Sequence, residues 1–217
     1  IMKGLMLKDL YSIRITQKTY IIFFLFLCVF GYIMKSPNYV GTMCIVVFLT
    51  CVLSLFNTDQ YYNWDTYAAA LPLSKKIVVR ARYLLIIVMT LALALFTAVM
   101  TGATAALLGM PVVEQVISSV STCMIIPIYS GIIIPVIYKL GVERGRVIFM
   151  MLFLIPFLVI MLFKDLIQGT VAESELIFLL QTPNGQLIAA GAIFVVSILV
   201  LAVSYLISIK IYSNKEF

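Results

Sequence analysis

The sequence contains no histidine and few charged residues. Without histidine, an HExxH metalloprotease site, a Ser/His intramembrane protease site and a histidine proton relay are excluded. No GxxxxGK[ST] phosphate-binding loop occurs, so the chain does not bind a nucleotide in that way. These absences leave no candidate catalytic residue and no candidate metal site, and the sequence predicts a protein that is not itself an enzyme.

Charge is scarce because most of the chain is apolar. Only 11% of the 217 residues are charged and 64% are hydrophobic, whereas about a quarter of a typical soluble domain is charged. Six runs contain no Asp, Glu, Lys or Arg, namely residues 19–34, 40–55, 84–108, 116–138, 147–163 and 187–209. A spanning helix needs roughly 20 residues, with about 17 tolerated, so the first, second and fifth runs are short and must borrow flanking residues. The pattern predicts an all-α integral membrane protein with six transmembrane helices.

The six runs also limit the transport chemistry. Aspartyl proteases of the membrane need two acids at membrane depth, and none of the runs holds one. Ion-coupled transporters usually place ionisable groups in their spans, because those groups bind the coupling ion. If the protein moves a substrate uphill, the energy must therefore enter from outside the bilayer.

The basic residues indicate the orientation. All but two of the fifteen Lys and Arg residues lie in the N-terminal arm, the second and fourth connections and the C-terminal tail; the two exceptions are Lys35 and Lys164. The positive-inside rule then places both termini in the cytosol. The net charge of +6 is explained by this topology and does not indicate nucleic-acid binding. The basic residues expected at the cytosolic membrane surface are Lys3, Lys8, Arg14, Lys18, Lys75, Lys76, Arg80 and Arg82.

Residues 1–18 precede the six-span domain of residues 19–217. Within them, apolar and basic residues alternate with helical periodicity. Apolar residues recur on one side and basic residues on the other, which predicts an amphipathic helix lying on the inner leaflet. Asp9 falls in the apolar sector. Two interpretations stay open for it: pairing with a neighbouring base or a partner, or a simply solvated carboxylate.

The longest segment that cannot lie inside a bilayer runs from Asn57 to Tyr83. Thr58 is a possible N-cap for a helix over about residues 59–71, which Pro72 ends, and Ser74 is a possible cap for the next helix. The residues singled out as a docking surface are Asp59, Tyr61, Tyr62, Trp64, Asp65, Tyr67, Leu71 and Pro72. The aromatics alone are also typical of an interfacial belt, but the loop length and the two carboxylates favour a helix that docks a partner.

Small residues and prolines mark the later spans. Close helix packing or kinks are predicted at Ala98, Gly102, Ala106, Pro127, Gly131, Pro135 and Pro156. Small residues let membrane helices approach closely, and prolines free backbone carbonyls. The prolines fit either routine packing distortion or a bend that shapes a transport cavity. The external segment 164–186 is predicted to form a pair of short re-entrant helices.

Two stretches resemble a known family. MKGLMLKDLYS at Met2–Ser12, and DQYYNWD at Asp59–Asp65 running into ALPLSKKIVVRARYL at Ala70–Leu84, resemble the small bacterial permeases of the ABC-2 exporter class. The order of elements over the whole chain is similar to that class. Among its members, the permeases that export phenol-soluble-modulin-type amphipathic peptides are the nearest resemblance.

The resemblance implies that residues 59–71 form the coupling helix, which docks on a separate cytosolic ABC ATPase. Two ATPase subunits would bind ATP and Mg, so this chain itself needs no cofactor, and two permease copies, expected to be a homodimer, would enclose one pathway. It also implies a location in the bacterial plasma membrane, in contact with lipid, and export of a hydrophobic or amphipathic substrate such as a peptide toxin or antimicrobial peptide. The alternative is a membrane-embedded immunity or sensor protein that binds such a peptide without transporting it.

Overall fold

The structure is a computed structural model that describes residues 4–12, 22, 25–26, 29–30, 33–36, 38–70, 74–162 and 182–214. Every regular element in these residues is an α-helix. The first predicted span, 19–34, and the predicted re-entrant segment, 164–186, lie largely outside the described residues. Lys3, Arg14, Lys18, Leu71 and Pro72 also lie outside them, as do the side chains of Asp65 and Pro156.

Between Asn38 and Leu162 the helices follow one another closely in the sequence. In chain order they are α1 (residues 4–12), α2 (Asn38–Tyr61), α3 (Trp64–Ala70), α4 (Lys75–Leu108), α5 (Val112–Cys123), α6 (Ile125–Leu140), α7 (Val142–Leu162) and α8 (Pro183–Ser213). Packing is most extensive between α8 and α6 and between α4 and α5, while α2 contacts α4, α5 and α6. The result is one helical bundle.

Four stretches in the described part of the chain are long and apolar enough to span a membrane. They are Cys44–Tyr61, Lys75–Leu108, Val112–Leu140 and Gly185–Ser213. These correspond to the predicted second, third, fourth and sixth spans, and α7 occupies the position of the fifth. The all-helical membrane fold is confirmed for these residues, and the count of six spans stays a prediction.

One end of the bundle, called the basic end here, collects most of the charged residues described. Lys75 Nζ at the start of α4 donates to the carbonyl of Ser213 at the end of α8, at 3.2 Å. Arg146 Nη2 near the start of α7 donates to Asn57 Oδ1 in α2, at 3.0 Å. The 34 residues of α4 rise about 51 Å, more than the roughly 30 Å of a hydrocarbon core. Its first turns can therefore lie at the membrane boundary.

The predicted helix over residues 59–71 is wrong in its bounds. The second span does not end before Asn57: α2 continues as one helix to Tyr61, and a separate helix of seven residues, α3, begins at Trp64. Thr58 is therefore not an N-cap, and its hydroxyl donates to the carbonyl of Ser54 inside α2, at 2.9 Å. A threonine that bonds back to the preceding turn is compatible with a helix interior. Ser74 does occupy the N-cap position of α4, without a side-chain capping bond.

The predicted fourth span is interrupted at Met124, between α5 and α6. Pro127 follows three residues later and has no N–H to donate to the carbonyl of Cys123, and its ring crowds that same carbonyl. This accounts for the end of α5 at Cys123. Pro135 lies inside α6, which remains one helix through it.

Two of the predicted small-residue positions lie where helices approach closely. A Cβ at Gly102 of α4 would contact Val116 of α5 at 3.5 Å, so the neighbour is a helix of the same chain. Gly131 of α6 lies against α8, where Ser204 Oγ donates to the Gly131 carbonyl at 2.5 Å. Ala98 is half-buried and Ala106 is exposed on α4, so the stripe is not a single buried contact.

Replacing Gly131 with alanine is expected to destabilise the protein. The new Cβ would lie 2.9 Å from Val200 Cγ1, a distance at which the Val200 side chain or one of the two helices must shift, and overpacking of this kind costs about 1–3 kcal/mol. Gly191→Ala in α8 is the matched control, because nothing lies within 4 Å of its Cβ. Thermal unfolding in detergent should separate the two variants, and equal stability would contradict the close α6–α8 contact.

Candidate functional site: a charge cluster at the basic end

Four charged side chains from three helices meet at the basic end and are called the charge cluster here. They are Lys8 and Asp9 of α1, Asp59 of α2 and Arg82 of α4. Lys8 Nζ lies 3.0 Å from Asp9 Oδ1 and 2.5 Å from Asp59 Oδ1. Arg82 Nε lies 3.5 Å from Asp9 Oδ2, and its Nη2 donates to Asp59 Oδ2. Each carboxylate therefore contacts both cations, and the four charges sum to zero.

The charge cluster is buried. The side chains of Asp9 and Arg82 are 6% and 5% exposed, and that of Asp59 is 13% exposed. Charges removed from water require close partners of opposite sign, because their desolvation is costly. The ring of alternating charges meets this requirement and fixes α1 against the ends of α2 and α4.

For Asp9, the interpretation as an ion-pair partner is confirmed, and a solvated carboxylate is wrong. Asp9 is 4% exposed, while Leu7, Leu10 and Tyr11 of α1 are exposed. The acid therefore faces the bundle, and these three residues face outward, where the membrane can cover them. Its partner Arg82 lies far away in the sequence.

Arg82, which was predicted to lie at the membrane surface, is buried in the charge cluster, and its position relative to the membrane stays a prediction. Lys8 also points into the cluster, although its side chain remains 26% exposed. Asp59, which was predicted to belong to the docking surface, instead pairs with Lys8 and Arg82 inside the charge cluster. Of the described basic residues in that set, Lys76 and Arg80 are exposed, and Lys75 is half-buried against the end of α8.

The short helix α3 joins the charge cluster through Trp64. The chain reverses between α2 and α3 at Asn63, whose φ of 49° lies in the left-handed region that asparagine tolerates better than most residues. This turn places the Trp64 ring 4.0 Å from Lys8 Nζ, measured to the ring centroid. Arg82 Cζ lies 4.7 Å from the centroid of Phe56. Such cation–π contacts hold the aromatic rings against the charges.

Three tyrosines around the turn face outward and are called the tyrosine face here. Tyr61, Tyr62 and Tyr67 are 80%, 65% and 60% exposed. The rings of Tyr61 and Tyr62 pack edge to face with centroids 5.0 Å apart, and Tyr67 packs on Trp64 with centroids 5.7 Å apart. Trp64 therefore contacts both the tyrosine face and the charge cluster, and connects the two.

A cavity of about 230 Å³ lies beneath α3. Asp59, Trp64, Arg82, Tyr138 and Tyr212 contribute to its lining, so it borders α2, α3, α4, α6 and α8. Nη1 of Arg82 is buried without a hydrogen-bond partner among the described residues. The guanidinium can therefore take a further acceptor while it keeps both carboxylates.

Sequence reasoning named all four cluster residues but did not bring them together. The described residues contain no group of His, Cys, Asp and Glu side chains suited to a metal ion. The cluster can act as a structural link. It holds together the N-terminal helix, the α2–α3 turn and the start of α4, and the tyrosine face lies on the outside.

The comparisons assign the family. A family model described as "ABC-2 family transporter protein" matches residues 4–213, nearly the whole chain, and the chain belongs to this family. It is thus a membrane protein of the permease class in ABC transporters, a transport component distinct from the ATPase. Searches among curated proteins and among solved structures found no match.

Proposed function

We propose that the chain is the permease subunit of an ATP-driven exporter and that α3 is its coupling helix. The observation that carries this proposal is the link between the tyrosine face and the charge cluster. Trp64 contacts Lys8, and Lys8 and Arg82 together hold Asp59 at the end of α2. A cytosolic ATPase docked on the tyrosine face could thereby move α1, α2 and α4 together.

The resemblance to ABC-2 permeases supports export as the direction of coupling. When ATP closes the ATPase dimer, α3 shifts, and the charge cluster transmits the shift to the spans α2 and α4, which open outward. The cargo we propose is a hydrophobic or amphipathic peptide, since the six apolar runs contain no charges that would bind a polar one. Two copies of the chain form the pathway, both termini lie in the cytosol, and the membrane is the bacterial plasma membrane.

An immunity or sensor protein that binds a peptide without transport is the second candidate. It also explains the apolar spans, but it gives no role to an exposed tyrosine face at the basic end. It predicts that no ATPase binds the chain.

The test is co-expression with the ABC ATPase encoded beside this chain, followed by purification on a tag carried by this chain alone. We expect both proteins to co-purify, and we expect ATP hydrolysis in lipid vesicles to change when an amphipathic peptide is added. An ATPase variant that cannot hydrolyse ATP is the control for background turnover. Failure of the two proteins to co-purify would overturn the proposal and favour the sensor.

A further inference from the structure

An open groove of about 510 Å³ lies between α4 and α8, and Met124 and Pro127 also contribute to its lining. This size falls in the range of roughly 300–1,000 Å³ that is typical of ligand sites. Unlike the charge cluster, the groove has walls that are almost entirely apolar. Ile87 and Leu91 of α4 and Phe194 and Ile198 of α8 are among the residues that line it.

The groove has the length of one leaflet. On α4 its lining extends from Arg80 to Leu91, and on α8 from Phe194 to Tyr205. Each stretch rises about 17 Å at 1.5 Å per residue, close to half of the roughly 30 Å hydrocarbon core. The two helices are antiparallel, so Arg80 and Tyr205 mark the same end of the groove, and that is the basic end.

The ends of the groove differ in charge. Arg80 lines its basic end and is exposed, and Lys76 lies one helical turn earlier on the same face of α4, also exposed. Neither α4 nor α8 contains an Asp or Glu. An occupant that fits has an anionic head beside Arg80 and Lys76 and an apolar tail about one leaflet long.

We infer that the α4–α8 groove binds an anionic phospholipid of the leaflet at the basic end. Its phosphate lies at Arg80 and Lys76, and one acyl chain lies along Ile87, Leu91 and Ile198. Basic pockets between membrane helices recognise acidic lipid head groups in this way. The site is separate from the tyrosine face, so it does not depend on the proposed function.

The test is native mass spectrometry of the full chain in detergent, titrated with dioleoylphosphatidylglycerol or with dioleoylphosphatidylcholine. The two lipids share their acyl chains, so a difference in affinity reports the head group. We expect tighter binding of the phosphatidylglycerol. Each basic residue near the surface contributes about a fivefold preference, so Arg80→Gln should lower the preference about fivefold and Arg80→Gln with Lys76→Gln about 25-fold.

Two further variants control the experiment. Arg144→Gln removes an exposed arginine of α7 outside the groove and should leave the preference unchanged. Ala202→Phe fills the groove and should weaken the binding of both lipids, while elution on gel filtration checks that it folds. Equal binding of the two lipids to the wild type, or an equal loss in Arg80→Gln and Arg144→Gln, would overturn the inference.

Other occupants give distinct results. If a second copy covers the groove, Ala202→Phe should reduce the mass of the solubilised assembly and leave the lipid preference intact. If an amphipathic peptide occupies it, the peptide should displace phosphatidylglycerol from the wild type and fail to bind Ala202→Phe. Either result would show that the occupant of the groove is not a lipid.

Discussion

The Arg82→Met variant is expected to be less stable than the wild type by about 3–5 kcal/mol, the cost of removing one partner from a buried ion pair. Methionine fills much of the same space, so the loss comes from the charge. Asp9 and Asp59 would remain largely buried with only Lys8 to compensate them. The measurement is thermal or denaturant unfolding of the purified protein in detergent.

Two controls test the reason for this loss. Arg144→Met removes an exposed arginine and should change stability by less than about 0.5 kcal/mol. A variant with all four cluster residues replaced by uncharged ones should recover most of the loss, because buried ion pairs add little over apolar packing. If Arg82→Met is as stable as Arg144→Met, the charge cluster does not hold the helices together.

Replacing Tyr61, Tyr62 and Tyr67 together with alanine is expected to weaken ATPase binding by about 30-fold to 1,000-fold. Exposed tyrosines are frequent hot spots of interfaces, and a hot spot contributes about 2–4 kcal/mol, which converts to that range of affinity. These side chains are 60–80% exposed, so their removal should leave the folded state intact. Surface-immobilised permease and soluble ATPase give the affinity directly.

Tyr11→Ala is the matched control, since Tyr11 is a similarly exposed tyrosine on α1. It should bind the ATPase as the wild type does. The interfacial-belt interpretation makes the opposite forecast for the triple variant: membrane insertion would suffer and ATPase affinity would not. Unchanged affinity in the triple variant would show that the tyrosine face is not a docking surface.

Hydropathy and charge placement were sufficient to predict the class of fold. A run such as 84–108 has no charge and can lie only in lipid or in a core, and it falls inside α4. The family resemblance likewise rested on two stretches that, apart from Met2 and Lys3, the family model covers. These features are local, so each could be recognised without knowledge of the neighbours.

Local reasoning failed where a residue has two possible partners. Thr58 before Asp59 is a common N-cap pattern, yet the helix continues because Thr58 can bond to Ser54 in the preceding turn. The actual break came at Asn63, a residue that tolerates a positive φ. Asn63 was the available signal, and it was not used.

The charge cluster could not be predicted without knowledge of the tertiary contacts. The position of Asp9 in the apolar sector left pairing open as one of two interpretations, and nothing near it in sequence identified Arg82. Asp59 supported a docking interpretation only while it was thought to be exposed. Once its pairing with Lys8 and Arg82 is known, the docking proposal rests on the tyrosines instead.

The position of Trp64 provides a built-in optical probe. It is the single tryptophan of the sequence, and it lies between an ammonium group 4.0 Å away and a ring of Tyr67. Indole emission responds to nearby charge and to water, so its wavelength and intensity report whether Lys8 stays in place. The unlabelled protein can therefore signal, in real time, each docking event that disturbs the contact between α1 and α3.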